Sequence, residues 1–250
     1  MNERTRAGCL VLALCACTRA GAAPSASTLP KYAAYDTPLS RDHAYFTRAP
    51  APDFWTLAPY YVGQQDDASC SLASLTMLVN AARSGQPLRS DEPLVTQPTL
   101  RARVASAIWE HGLAPGGPGV TLDQLGQLTS QSLQAFGLQA QRVEVTHIDE
   151  PSPAALDRLR QALNANESSA HDWLLLDFLS ESYVGTGAYG HIAPVAAYDA
   201  GTHRVLVLDP DREWYEPYWL PDEIALRGMA TLDTDSGKPR GYLYVSVAAH

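Results

Sequence analysis

The chain has 250 residues, of which 46% are hydrophobic, enough for one large domain or two small ones with a real core. Its 27 acidic residues outnumber its 18 basic ones, and no basic stripe is present. An acidic surface repels phosphate backbones, so nucleic-acid binding is excluded as a function class.

The N-terminus reads as an export signal, residues 1–23. Arg4 and Arg6 precede the apolar run from Cys9 to Cys17, and small residues follow at Ala20-Gly21-Ala22-Ala23. The run is too short to span a membrane as a mature helix. Cleavage is expected after Ala22 or Ala23, giving an exported protein, periplasmic or secreted. Leu14-Cys15-Ala16-Cys17 also resembles a bacterial lipobox, which would leave a lipid anchor at Cys17. Losing residues 1–22 removes three arginines and one glutamate, moving the formal charge from −9 to −11.

Three of the four cysteines fall in that signal, so the expected mature chain keeps only Cys70. One cysteine cannot form an internal disulfide, and a cysteine-pair zinc site is excluded by the same count. Cys70 is then either a packing residue or a free thiol with a job. Residues 24–52, rich in Pro, Ala and Ser, read as an extended arm. Order is expected from Asp53, with one domain over 53–250.

From Cys70 to Ala82, apolar residues cover most of a helix surface, which predicts a central buried helix starting at the cysteine. A second helix is predicted over 100–111, ended by Gly112. Thr121-Leu122-Asp123-Gln124 is a capping-box pattern opening a third, which stops near Gly137. Ser152-Pro153 opens a fourth. Strand-like runs follow at 173–179, 191–198, 203–208 and 242–247. Helices first and strands later predict an α+β fold, a helical half packed on an antiparallel sheet.

The hairpin between the middle strands predicts a site. Asp199-Ala200-Gly201 reads as a three-residue loop with glycine at its left-handed position. Tyr198 then faces Thr202 and, carried down the ladder, His191 faces Asp209. Opposed residues project from one face with Cβ atoms about 4.5–5.5 Å apart. A cysteine at a helix N-terminus beside an imidazolium is the setting that favours a thiolate. With histidine as base and acid and a carboxylate orienting it, this is the nucleophile–base–orienter arrangement. Gln64, six residues upstream, is a candidate side-chain donor to an oxyanion, together with the Cys70 N–H.

Gly185-Thr186-Gly187-Ala188-Tyr189-Gly190 matches a dinucleotide-binding glycine pattern, but it runs into a strand, so no helix N-terminus awaits a pyrophosphate. It reads as a flexible loop leading into His191. Asp233-Thr234-Asp235-Ser236-Gly237 has the wrong spacing for a calcium loop and reads as a turn.

Three segments resemble phytochelatin synthases, a branch of the papain-like cysteine peptidase clan: "QQDDASCSLASLTMLVNA", "YGHIAPVAAYD" and "LDPDREWYEPYWLPDEIALRGMATLDTDSGKPRGYLYV". The resemblance runs from about Asp53 to Val247. It implies a papain-like fold, with the helical half carrying nucleophile Cys70 and the sheet carrying His191 as acid/base and Asp209 as orienter. It places Gln64 in the oxyanion hole and gives Gly190, Arg212, Tyr215, Asp233 and Arg240 substrate or structural roles. The implied activity is a glutathione γ-glutamylcysteinyltransferase with no tightly bound cofactor and no metal-ligand set of its own. Cadmium or zinc would enter as a metal–glutathione thiolate substrate in a heavy-metal response. Ser71 stands where the family usually has glycine, Ser69 where it has an aromatic, and Ser180 near an arginine. A cysteine-rich C-terminal region of the plant type is not expected. These departures predict that water takes the acyl group more often than a second glutathione does. Bacteriocin leader-processing peptidases share the order glutamine, cysteine, histidine, Asp-Pro but lack the last segment. A non-catalytic exported binding module with a vestigial triad is the third reading.

Overall fold

A seven-stranded antiparallel sheet divides the apolar interior into two layers. The computed structural model describes residues 30–248, so the expected signal and the lipobox cysteine lie outside the described residues. In chain order the elements are β1 (Thr37–Pro38), α1 (Pro52–Leu57), α2 (Cys70–Ser84), α3 (Gln97–Val104), α4 (Ala107–Gly112), α5 (Leu122–Ala135) and β2 (Ala140–His147). There follow α6 (Pro153–Glu167), β3 (Asp172–Leu179), α7 (Ser180–Val184), β4 (Gly190–Asp199), β5 (Arg204–Val207), β6 (Tyr218–Pro221), α8 (Asp222–Met229), β7 (Leu232–Asp233), β8 (Lys238–Pro239) and β9 (Gly241–Val247). The sheet order is β1-β6-β5-β4-β3-β9-β2, and β7 with β8 forms a separate hairpin whose turn is the Asp-rich segment 233–237.

The central strands are buried on both faces, which is why β3 and β4 read as continuous apolar runs rather than alternating ones. One layer holds Leu75 and Leu78 of α2, Leu125 of α5, and Ile192 and Leu243 of the sheet. The other holds Leu159 and Leu163 of α6, Leu174 and Leu176 of β3, and Met229 of α8.

Several expectations need correction. The segment 100–111 is not one helix. Ala105, in the left-handed region at φ 47°, ends α3, and the Ser106 hydroxyl caps α4. No glycine or proline marks that break, so the apolar spacing reads straight through it. Strands β2 and β6 were not predicted. The stretch read as an arm contributes β1, which pairs with β6, and Tyr45, which enters the core. The capping box at Thr121 and the Ser152 cap form as expected.

The β4–β5 register also differs. The connection is residues 200–203, with His203 at φ 53°, so Asp199 pairs with Arg204 and Tyr198 with Val205. Continued unchanged, that register would put His191 and Asp209 on opposite faces, because a shift of one residue reverses every side chain. A bulge at Ala196 intervenes: Ala197 pairs with Leu206, but Val195 pairs with Val207. The one extra residue restores parity. Leu208 N still donates to Pro194 O over 3.0 Å, and Asp209 follows it at the strand end.

Candidate active site

Helix α2 is buried along nearly its whole length, from Cys70 to Arg83. A single bond fixes it to the sheet beside the histidine: the Ser74 hydroxyl donates to the Ile192 carbonyl over 3.0 Å. Its N-cap, Ser69, makes no side-chain cap bond. The Ser69 hydroxyl instead accepts from the Gln65 and Asp66 N–H groups, each at 2.9 Å, and so shapes the loop before the helix. The first-turn N–H groups are therefore left without a side-chain cap, beside the Cys70 thiol.

His191 lies at the start of β4, opposite Phe178 of β3, and is 3% exposed. His191 Nε2 and Asp209 Oδ1 are hydrogen-bonded at 2.6 Å. Asp209 is held by two further donors, the Asp211 N–H at 2.8 Å and the Tyr218 hydroxyl at 2.9 Å. Nε2 is thus occupied, leaving Nδ1 as the nitrogen for the thiol, and Cys70 and His191 line the same cavity. Burial opposes an imidazolium here. The Asp209 charge and hydrogen bond, with Cys70, outweigh it and hold the imidazole well above its ordinary 6.5. Burial likewise opposes the Asp209 carboxylate, but His191 and the other donors keep it below its ordinary value.

Cys70 and His191 open onto a cavity of about 750 Å³. One wall is the Gly/Pro-rich loop 113–120. Gly112 and Gly119 pinch it together: the Gly119 N–H donates to Gly112 O over 3.0 Å, and a Cβ on Gly112 would lie 2.0 Å from Gly119 O. The lining also includes Asp177, Gly190, Asp233 and Arg240. Arg240 Nη1 donates to Asp177 Oδ1 over 2.8 Å, and Arg240 Nη2 lies 3.6 Å from Asp233 Oδ1. The guanidinium rests against Gly190, where any Cβ would approach Nη1 to 2.5 Å. Burial pushes Asp177 up to about 6 even though Arg240 pulls the other way.

The other residues singled out in the sequence lie elsewhere. Gln64 is tied by its backbone N–H to Pro210 O over 2.7 Å, one residue past Asp209. Its side-chain Oε1 is buried without a hydrogen-bond partner, and it is not among the cavity-lining residues. Arg212 is exposed, stacks on Tyr61 at 4.3 Å, and lies outside the lining. Tyr215 packs edge-on to Tyr32 and also lies outside it. Ser180 is buried and bonds to the loop 187–189. Sequence reasoning missed Asp177. Its signal was a carboxylate inside the apolar run "WLLLDFL", which demands a buried partner.

The family model for phytochelatin synthase matches residues 40–242. The chain belongs to the phytochelatin synthase family. Glutathione gamma-glutamylcysteinyltransferase 1 of Lotus japonicus is 25% identical over 200 residues, 77% of this chain and 36% of the relative. The Arabidopsis thaliana protein of the same name is 24% identical over 196 residues, 77% of this chain and 37% of the relative. The glutathione gamma-glutamylcysteinyltransferase of Schizosaccharomyces pombe is 26% identical over 223 residues, 86% of this chain and 49% of the relative. The chain spans between about a third and a half of the length of these family members. Among the described residues, no helix is long and apolar enough to cross a membrane.

Proposed function

We propose that this chain is a papain-like cysteine acyltransferase that acts on glutathione. Cys70 attacks the carbonyl of the Cys–Gly peptide bond. His191 accepts the thiol proton and passes it to the departing glycine amine, leaving a γ-glutamylcysteinyl thioester on Cys70. Asp209 fixes the imidazole tautomer and stabilises the imidazolium. The Cys70 N–H serves the oxyanion, and the Gln64 amide joins it only if its side chain turns into the cavity it does not line here. A second nucleophile, water or another glutathione, then resolves the thioester with His191 as base. Cadmium or zinc enters bound to the substrate thiolate.

The observation that carries this reading is the Asp209–His191 hydrogen bond on the wall of a cavity large enough for a tripeptide, which Cys70, the first residue of α2, also lines. The names of the family members supply the substrate. Hydrolysis to γ-glutamylcysteine is the favoured outcome. Transfer needs a pocket that orients the acceptor, and well-oriented neighbours reach effective molarities of about 10⁵–10⁸ M only when such a pocket is formed. Ser69, turned into its own loop, offers no wall for one, and Ser180 offers no cation.

The test is incubation with millimolar glutathione, with and without cadmium, read by mass spectrometry. Glycine, γ-glutamylcysteine and acylated Cys70 are expected. No glycine release and no acylation would refute the function. A two-unit phytochelatin exceeding γ-glutamylcysteine would refute the hydrolytic preference.

A further inference from the structure

The glycine-rich stretch between α7 and β4 carries one large side chain, Tyr189. It is 42% exposed and lines the cavity. Its ring stands edge-on to the His191 imidazole, with centroids 6.0 Å apart and planes at 85°. Its hydroxyl donates to Asp211 Oδ2 over 3.4 Å, so the side chain reaches across His191 to the residue two beyond Asp209. The local backbone holds it there. Tyr189 N donates to Ser180 Oγ at 3.3 Å, and Ser180 N donates to Tyr189 O at 3.0 Å. Gly187, at φ +75°, lies under the ring, where a Cβ would come within 2.4 Å of Tyr189 Cε1.

In the acylation step the Cys70 Sγ–carbon bond forms, the carbon–nitrogen bond breaks, and the nitrogen leaves with the electron pair and takes the His191 proton. The leaving residue must therefore lie beside the imidazole that protonates it. Gly190, Asp177, Asp233 and Arg240 line the same cavity. Tyr189 stands edge-on to that imidazole and lines the same cavity as Cys70. We infer that Tyr189 walls the leaving-group subsite and restricts the residue after the scissile bond to the size of glycine. The inference rests on the glutathione-directed reading above. A side chain on the leaving residue would meet the phenol ring.

A pocket wall of this kind discriminates by about 10–200-fold. The experiment compares γ-Glu-Cys-Gly with γ-Glu-Cys-Leu, reading the released amino acid as kcat/KM for the parent, Tyr189→Ala and Tyr189→Phe. The parent should favour the glycine peptide by about tenfold or more. Tyr189→Ala should collapse that ratio toward unity. Tyr189→Phe should keep it, because the wall persists without the Asp211 bond. The ratio is internal to each preparation, so partial unfolding cancels, and Tyr189→Val replaces alanine if that variant does not fold. Equal use of both peptides by the parent, or an unchanged ratio in the truncated variants, overturns the inference. So does loss of selectivity in Tyr189→Phe, which would shift the cause from the ring to the hydroxyl. Failure of the broader reading is distinct: neither peptide releases an amino acid and Cys70 is never acylated.

Discussion

Replacing Arg240 with alanine should destabilise the protein before it says anything about substrate. The Arg240 side chain is 11% exposed and its partner Asp177 is 2% exposed. Removing one member of a buried pair leaves an uncompensated charge, at a cost of about 3–5 kcal/mol. For a domain of 150–250 residues, each kcal/mol shifts Tm by about 2–4 °C, so Tm should fall by about 6–20 °C at pH 8. The loss should depend on pH. Asp177 is raised to about 6 from an unfolded value of 3.8. A carboxyl raised in the folded state contributes stability that is full below its unfolded pKa and lost as pH rises through its folded one. Without Arg240 its pKa climbs further, since the cation that opposed burial is gone. At pH 5 the carboxyl is mostly neutral in both proteins and the deficit should be less than half that at pH 8. Adding Asp177→Asn should recover much of the lost Tm. Any rise in KM for glutathione that survives in this double variant belongs to substrate binding. A Tm within about 2 °C of the parent at pH 8, or equal losses at both pH values, refutes the buried-pair argument.

Cys70→Ala should abolish glycine release while keeping the parent's circular dichroism, because alanine fits the start of α2; persistent turnover would remove the nucleophile assignment. Asp209→Asn should lower kcat by about 10²–10⁴-fold yet leave Cys70 open to iodoacetamide, since the amide favours the wrong tautomer and cannot stabilise an imidazolium. Activity equal to the parent would show that Asp209 does not orient His191. Deleting Ala196 should remove the bulge and turn His191 and Asp209 to opposite faces, giving a folded but inactive protein; full activity in the deletion would show that the ladder repairs its parity elsewhere.

The parts of the site that share local sequence were legible, and those joined only by the sheet order were not. Cys70 and the helix behind it announce themselves through apolar spacing that begins at the thiol, and all 14 residues from Cys70 to Arg83 are buried. The His191–Asp209 pair was found through a register that the fold does not use. The expected three-residue loop is a longer connection, and the pair survives because Ala196 supplies one residue of compensation. Nothing in "GHIAPVAAYD" marks Ala196 for that task, since alanines flanking a bulge look like any apolar run. Edge strand β2 escaped because Arg142 and Glu144 are exposed and pair with each other, so it lacks the apolar run that marked its central neighbours. Asp177 and Arg240 stand 63 positions apart and meet only because β3 lies beside β9. Tyr189 sits in a loop whose glycines suggested only flexibility. Two of those glycines instead make room, Gly187 for the tyrosine ring and Gly190 for the guanidinium. The loop is shaped by what it must pass between, and that shape sets an aromatic ring edge-on to His191 and leaves room at Gly190 for the guanidinium of a buried ion pair.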